Sequence, residues 1–147
     1  MKIKNFKLKI AGTGHRKAFL EKLIKELKLE DKVEFIGWVS DKKSFFNQID
    51  ILIFPSQRET FGLVLLEAMK YRKPIVATDC DGPKEIIRNE IDGMLVSLEP
   101  LDNTEDRVTE AIIKIVNQPA LVNQMIENSF IRLKEKFSYK SMEAHLA

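Results

Sequence analysis

Cysteine is almost missing from this chain: Cys80 is the only one in 147 residues. A disulfide framework within the chain is thereby excluded, and the usage fits a reducing compartment. Histidine is nearly as scarce. His15 and His145 stand alone, and neither supplies a Ser-His-Asp arrangement or a zinc site. No charge of one sign dominates, because 24 Lys and Arg against 22 Asp and Glu leave a formal net charge of +2. That is too little to argue for nucleic acid, although a pI near 8.6 does not oppose an anionic ligand or membrane surface. No apolar stretch approaches the roughly 18 residues of a transmembrane helix. The start Met1-Lys2-Ile3-Lys4-Asn5-Phe6-Lys7 lacks the long apolar region of a signal peptide. Repeats, low-complexity tracts and an obvious linker are also lacking. The expected address is the cytoplasm, with peripheral attachment at the cytoplasmic membrane face left open.

What is present is ordinary globular composition, 44% hydrophobic and 31% charged, in a length that suits a single domain over residues 1–147. Phe6, Leu8 and Ile10 alternate with lysines in a strand that stops at Ala11-Gly12-Thr13-Gly14. Phe19, Leu20, Leu23, Ile24 and Leu27 then recur at helical spacing. Val33–Ile36 reads as a second strand ended by Gly37, and a short helix over Asp41–Gln48 follows. The continuous apolar runs Ile51–Phe54 and Ile75–Ala77 suit parallel strands covered on both faces. Gly82-Pro83 starts another short helix, and Gly93–Val96 is a short last strand. Beyond them Val108, Ala111, Ile112, Ile115 and Val116 form one helical stripe, with Asn103 or Thr104 as its cap. Pro119 breaks it, Leu121 through Leu133 form the next, and Ser138 is a candidate cap for a terminal helix. This β-α alternation with a helical C-terminal third predicts an α/β fold, a Rossmann-like parallel sheet with helices on both faces.

The segment Glu59-Thr60-Phe61-Gly62-Leu63-Val64-Leu65-Leu66-Glu67 sets two carboxylates at the head of an apolar helix. A helix start presents free N–H groups and a positive dipole end to an anion, and Gly62 lets the backbone approach closely. A Glu ahead of the helix and one two turns inside it lie about 12 Å apart at about 1.5 Å per residue. Hydroxyl-rich groups either side of a diphosphate have that separation, so the pattern points to a nucleotide-sugar. The competing account is a helix-start Glu that suits the dipole and a second Glu on a solvated face. Against it stand Leu63, Val64, Leu65, Leu66, Ala68 and Met69 around Glu67, since a carboxylate on a buried helix needs a partner. Phe54-Pro55-Ser56 also puts the helix start near the carboxyl end of a strand, where open α/β sheets bind ligands.

Taken together, these residues resemble the C-terminal, donor-binding domain of a retaining glycosyltransferase of the two-domain GT-B type, family 4, also called group 1. Leu8 through Gly14 is similar to that domain's second strand and turn, and Val33 through Val39 to its third strand and base-binding loop. Phe54-Pro55-Ser56 with Glu59 through Met69 resembles the family's E-x7-E block. Pro74 through Asp79, Gly82 through Ile87, Asp92 through Val96 and Phe137-Ser138-Tyr139 resemble its later blocks. The resemblance implies that Glu59 holds hydroxyls of the transferred sugar and so sits in the catalytic centre, while Glu67 accepts from the ribose hydroxyls. It implies that backbone N–H groups of Phe61, Gly62 and Leu63 meet the distal phosphate and sugar. Gly37, Trp38 and Val39 would line the base site, and Gly12 and Gly14 would let the chain pass close to the nucleotide. The Gly82-Pro83 form of the turn is similar to that of enzymes building lipopolysaccharide, capsule or other surface glycans, which makes a UDP-sugar the expected donor. No metal and no further cofactor is implied.

The departures from the family pattern matter as much. There the donor domain opens with a strand ending in Gly-Arg, followed by a Lys, and the two cations neutralise the departing diphosphate. Here Met1 falls just ahead of the second strand, so that first β-α unit and the acceptor domain are both expected to be missing. Charge stabilisation of a leaving group is a large part of such catalysis, and the chain alone is expected to have little or no transferase activity. In a sheet ordered 3-2-1-4-5-6 the first strand is central. Either the remaining strands close the gap, or an edge is left for an oligomer or partner chain to complete.

Other readings stay open at this point. Asp79-Cys80-Asp81 is a D-x-D triplet that could ligate Mg or Mn. Glu59 and Glu67 could be the carboxylate pair of a glycoside hydrolase, but their axial separation exceeds the roughly 5–9.5 Å that reaction uses. Trp38 either stacks on a base or packs. His15 adjoins the glycine turn and touches a nucleotide or is a plain loop imidazole. The helix from Arg16 to Lys28 carries Glu21–Lys25 and Lys22–Glu26 spacings that favour an ion-paired, solvated face. From a different class, a non-catalytic remnant that binds a nucleotide or a partner accounts for the same residues. A receiver-like module needs an acidic cluster at the first strand end, and Ala11-Gly12 lacks one.

Overall fold

The computed structural model describes residue 3 and residues 5–138, which divide between Phe45 and Phe46 into two compact units. The expected terminal helix beyond Ser138, including Tyr139 and His145, falls outside the described residues.

The first unit is a β-α-β element. β1 (Leu8–Ala11) leads through the glycine turn into α1 (Lys17–Glu26) and back to β2 (Val33–Gly37). The strands pair in parallel from Leu8↔Val33 to Ala11↔Gly37, with a register shift between Ile10 and Ala11. The predicted helical stripe forms but is not buried: α1 has no buried residue, and only Leu20 and Ile24 are half-covered. A two-stranded sheet is too narrow to cover the whole stripe, and Phe19 and Leu27 remain 62% and 58% exposed. On the opposite side Lys22 pairs with Glu26 as the spacing suggests, whereas Glu21 takes Lys17 rather than Lys25. Both pairs are solvent-exposed, so each is worth well under about 1 kcal/mol.

α2 (Lys42–Asn47) spans the boundary and starts where the Asp41 carboxylate accepts a bond from Ser44 N–H at 2.9 Å. The second unit is built on β3 (Leu52–Phe54), β4 (Ile75–Thr78) and β5 (Met94–Val96), paired in parallel in that order. β4 lies in the middle and all its residues are buried, which is why Ile75-Val76-Ala77 reads as an uninterrupted apolar run. Between the strands run α3 (Leu63–Lys70) and the short α4 (Asp81–Ile86). Two longer helices, α5 (Thr104–Asn117) and α6 (Pro119–Lys136), follow. Pro119 both ends the first of these and opens the second, a position where its missing N–H costs nothing. α5 packs on β4, β5 and α6, and one core joins Val76, Met94, Val96, Ala111, Ile115, Val122 and Met125. Val116, expected in that stripe, lies in the last turn of its helix and is 51% exposed.

The fold is therefore the predicted α/β arrangement of parallel strands and covering helices. It differs in one respect from a single continuous sheet: among the described residues the strands form two sheets, β1-β2 and β3-β4-β5. That partition is the one left when the central first strand of a 3-2-1-4-5-6 order is not among the strands.

Candidate functional site

The functional segment hangs from the carboxyl end of β3. Thr78, buried at the end of the neighbouring β4, donates its hydroxyl to the Ser56 carbonyl and so fixes the chain as it leaves the sheet. The Ser56 hydroxyl donates in turn to the Arg58 carbonyl at 2.9 Å. Next, the Glu59 carbonyl accepts from Gly82 N–H at 2.8 Å, tying this loop to the head of α4. The approach is so close that a Cβ on Gly82 would stand 2.5 Å from the Phe61 carbonyl oxygen. No side chain fits there.

Gly62 turns the chain into α3 with φ of 91°, a left-handed conformation that glycine adopts without penalty. Its carbonyl accepts from Leu65 N–H at 2.9 Å, the first bond of the helix. The N–H groups ahead of Leu65 have no acceptor within the helix. The Glu59 side chain folds back over this start, and its Oε1 accepts from Phe61 N–H at 3.2 Å. That bond places a half-buried carboxylate against the helix mouth, and it engages an N–H expected to serve a phosphate. Leu63, in the first turn, is 67% exposed.

Glu67 is half-buried, with its Oε2 atom fully enclosed. Leu65, Ala68 and Met69 beside it are buried, which is what the apolar surroundings predict for this carboxylate. It lies one turn into α3, not two, because residues 59–62 form an irregular loop and the helix starts at Leu63. The 12 Å axial spacing derived for a continuous helix therefore does not describe the pair.

Two aspartates near the site have structural employment. Asp79 Oδ1 accepts from Leu98 N–H at 2.9 Å, and Oδ2 lies 4.0 Å from Lys84 Nζ. These contacts, with Asp81 exposed in the first turn of α4, give the D-x-D triplet a part in the turn. Asp92 is fully buried and accepts from Arg88 Nε at 2.8 Å and from its terminal nitrogen at 2.7 Å. The hydrogen bond from Asp92 raises the Arg88 pKa further above its ordinary value, against the opposing effect of burial. Arg132 of α6 stands 3.5 Å from Asp92 and donates to the Ile86 and Glu85 carbonyls, closing the end of α4.

In the first unit the expected residues lie at the carboxyl ends of β1 and β2. Gly12 N–H donates to the Gly37 carbonyl at 2.7 Å, so the two turns are tied together. Gly12 and Gly14 border a cavity of about 200 Å³ with Thr13, Arg16, Lys17 and Phe35. Trp38 is 79% exposed, so packing does not account for it, whereas Val39 is half-buried. His15 is an exposed loop residue.

The structure thus gathers Glu59, Phe61, Gly62, Leu63 and Glu67 on one loop-helix element, and Gly12, Gly14 and Gly37 on one pair of turns. Two positioning residues, Gly82 and Thr78, are missing from the sequence-derived set. A glycine directly before a proline at a helix start signals the first. Nothing local signals the second, because its partner lies 22 residues away.

Comparison with known proteins defines the class. The model of the glycosyl transferases group 1 family matches residues 1–132, and the chain belongs to that family. It is 31% identical over 140 residues to an alpha-D-kanosaminyltransferase of Streptomyces kanamyceticus, covering 94% of this chain and 35% of that protein. It is 28% identical to the lipopolysaccharide core biosynthesis glycosyltransferase LpsD of Rhizobium meliloti, covering 95% of this chain and 40% of that one. Among solved structures it resembles a mutant of S. aureus TarM in complex with fondaparinux, alpha-GlcNAc-glycerol and UDP. The TM-score is 0.79 and the identity 26%, over 95% of this chain and 28% of TarM. The chain spans little more than a third of the length of the curated relatives it matches first, 35% of each.

Proposed function

We propose that this chain is the donor-binding part of a retaining glycosyltransferase that takes a hexose or N-acetylhexosamine from a UDP-sugar. The observation that carries the proposal is the loop-helix element, with Glu59 folded over the mouth of α3 and Glu67 sunk one turn inside it. In this reading Glu67 accepts hydrogen bonds from the ribose hydroxyls. Glu59 leaves Phe61 N–H when donor arrives, accepts from the sugar hydroxyls, and frees the Phe61, Gly62 and Leu63 amides for the distal phosphate. UDP in the TarM complex supports the nucleotide assignment. Family resemblance assigns the remaining nucleotide contacts to Gly12, Gly14, Gly37, Trp38 and Val39 of the first unit.

The acceptor is a surface glycan or lipid-linked glycan engaged through another domain, a reading supported by the lipopolysaccharide relative. All 147 residues act as one donor-binding domain, without a metal, in the cytoplasm. By themselves they bind donor without transferring sugar, because the paired cations of the family pattern are not among them. Among the described residues no helix is long and apolar enough to cross a membrane.

Titration calorimetry with UDP and UDP-glucose tests the assignment. Glu67→Ala is expected to weaken both ligands by tenfold or more, the worth of a charge-assisted hydrogen bond of about 1.5–3 kcal/mol. Glu59→Gln is expected to weaken UDP-glucose and leave UDP unchanged. Equal binding by wild type and Glu67→Ala would overturn the reading, and chelator is expected to have no effect.

A further inference from the structure

We infer that Asp79 is a positioning residue for the sugar end of the donor, acting through Gly82 on Glu59. The role presupposes the donor reading above and adds a side chain that is not among the proposed contacts. Asp79 directly follows β4, and its N–H donates to the Val96 carbonyl at 2.9 Å, which prolongs the pairing with β5. Its Oδ1 accepts from Leu98 N–H at 2.9 Å, on the loop that leaves β5. That loop is itself held, because Arg107 of α5 donates from Nε to the Ser97 carbonyl at 3.0 Å and from a terminal nitrogen to the Pro100 carbonyl. Asp79 is thus fixed through both its backbone and its side chain.

Three residues on, Gly82 carries that position to the site. Its N–H donates to the Glu59 carbonyl at 2.8 Å. A Cβ on it would stand 2.5, 2.6 and 2.7 Å from the O, C and N atoms of Phe61, so the turn and the Glu59 loop cannot shift independently. Cys80, the N-cap of α4, makes no side-chain capping bond, which leaves the turn to its flanks for orientation. The other contact of the Asp79 carboxylate, with Lys84 Nζ at 4.0 Å, is loose and largely exposed and contributes little. What matters at Asp79 is therefore the acceptor offered to Leu98 N–H. The ribose end is anchored differently, since Glu67 rides on α3, which is held by buried Leu65, Ala68 and Met69. Loss of the Asp79 anchor reaches Glu59 and spares Glu67.

Titration calorimetry with UDP and UDP-glucose on the 147-residue chain tests this, with hydrogen exchange of the free chain alongside. Asp79→Ala is expected to weaken UDP-glucose about tenfold, the scale of one charge-assisted hydrogen bond, and UDP by no more than about twofold. Asp79→Asn keeps an acceptor for Leu98 N–H and is expected to stay within about twofold of wild type for both ligands. Arg107→Gln, which loosens the Leu98 loop from its other side, shifts the UDP-glucose-to-UDP ratio the same way by about threefold and serves if Asp79→Ala does not fold. A general loss of stability lowers both affinities together and leaves that ratio alone. Without ligand, the Gly82 amide is expected to exchange about tenfold faster in Asp79→Ala, measured against the Met125 amide in α6. An unchanged ratio in the folded variants, or a loss in Asp79→Asn as large as in Asp79→Ala, would overturn the inference. So would Gly82 exchange that keeps pace with Met125. Glu67→Ala in the same titrations separates the two failures. If it weakens both ligands while Asp79→Ala alters no ratio, the role of Asp79 falls and the donor reading stands. If Glu67→Ala binds as wild type does, the donor reading falls and the role of Asp79 with it.

Discussion

At the scale of single residues, the site depends on close approach more than on polar groups. Gly82 is required by space alone: a methyl group there meets the Phe61 backbone at 2.5 Å. Gly82→Ala is expected to cost about 1–3 kcal/mol by forcing the two loops apart, and to weaken UDP-sugar binding in the same protein. Denaturant unfolding and calorimetry on that variant check both, and unchanged values for both would contradict the packing described. Asp92 presents the opposite situation, a buried carboxylate held by two guanidinium groups. Asp92→Ala leaves Arg132, whose side chain is only 18% exposed, without its anion. The expected loss is about 3 kcal/mol in chemical denaturation, as for a buried ion pair broken from one side. Of these features the sequence displays the types and hides the distances. Glu59 and Glu67 stand out by spacing, but nothing in their spacing reveals that Glu59 curls back onto Phe61 N–H.

At the scale of elements, periodicity carries most of the information and fails at the ends. The apolar runs at Ile75 and Leu52 mark β4 and β3 because both are covered, and the stripes through Ile115 and Met125 mark α5 and α6. The helix carrying Glu67 is less legible. Its apolar residues suggest a start near Glu59, yet Gly62 in the left-handed region delays it to Leu63. Once started, α3 is held by Leu65, Ala68 and Met69, each fully buried. Leu65→Ala is expected to cost about 3 kcal/mol in thermal or denaturant unfolding. Because Leu65 lies on the buried side of the site helix, donor affinity should fall with it. Periodicity also misleads in α1, where a faultless amphipathic pattern meets a two-stranded sheet that cannot cover it.

At the scale of the whole molecule, the alternation of strands and helices makes the fold class readable in advance. Pairing is another matter, since no local signal says whether β1 and β3 meet. Two separate parallel sheets result, each with a strand that has one neighbour among the described residues. The relatives extend well beyond the span matched here, and transfer chemistry is assigned to that larger context. Donor recognition is what we propose for this chain. The most direct test is a crystal structure of the 147-residue chain with UDP-glucose. The account predicts the ribose hydroxyls within about 3 Å of the Glu67 carboxylate and the glucose hydroxyls at the same distance from Glu59. Electron density for the nucleotide that touches neither side chain would contradict it.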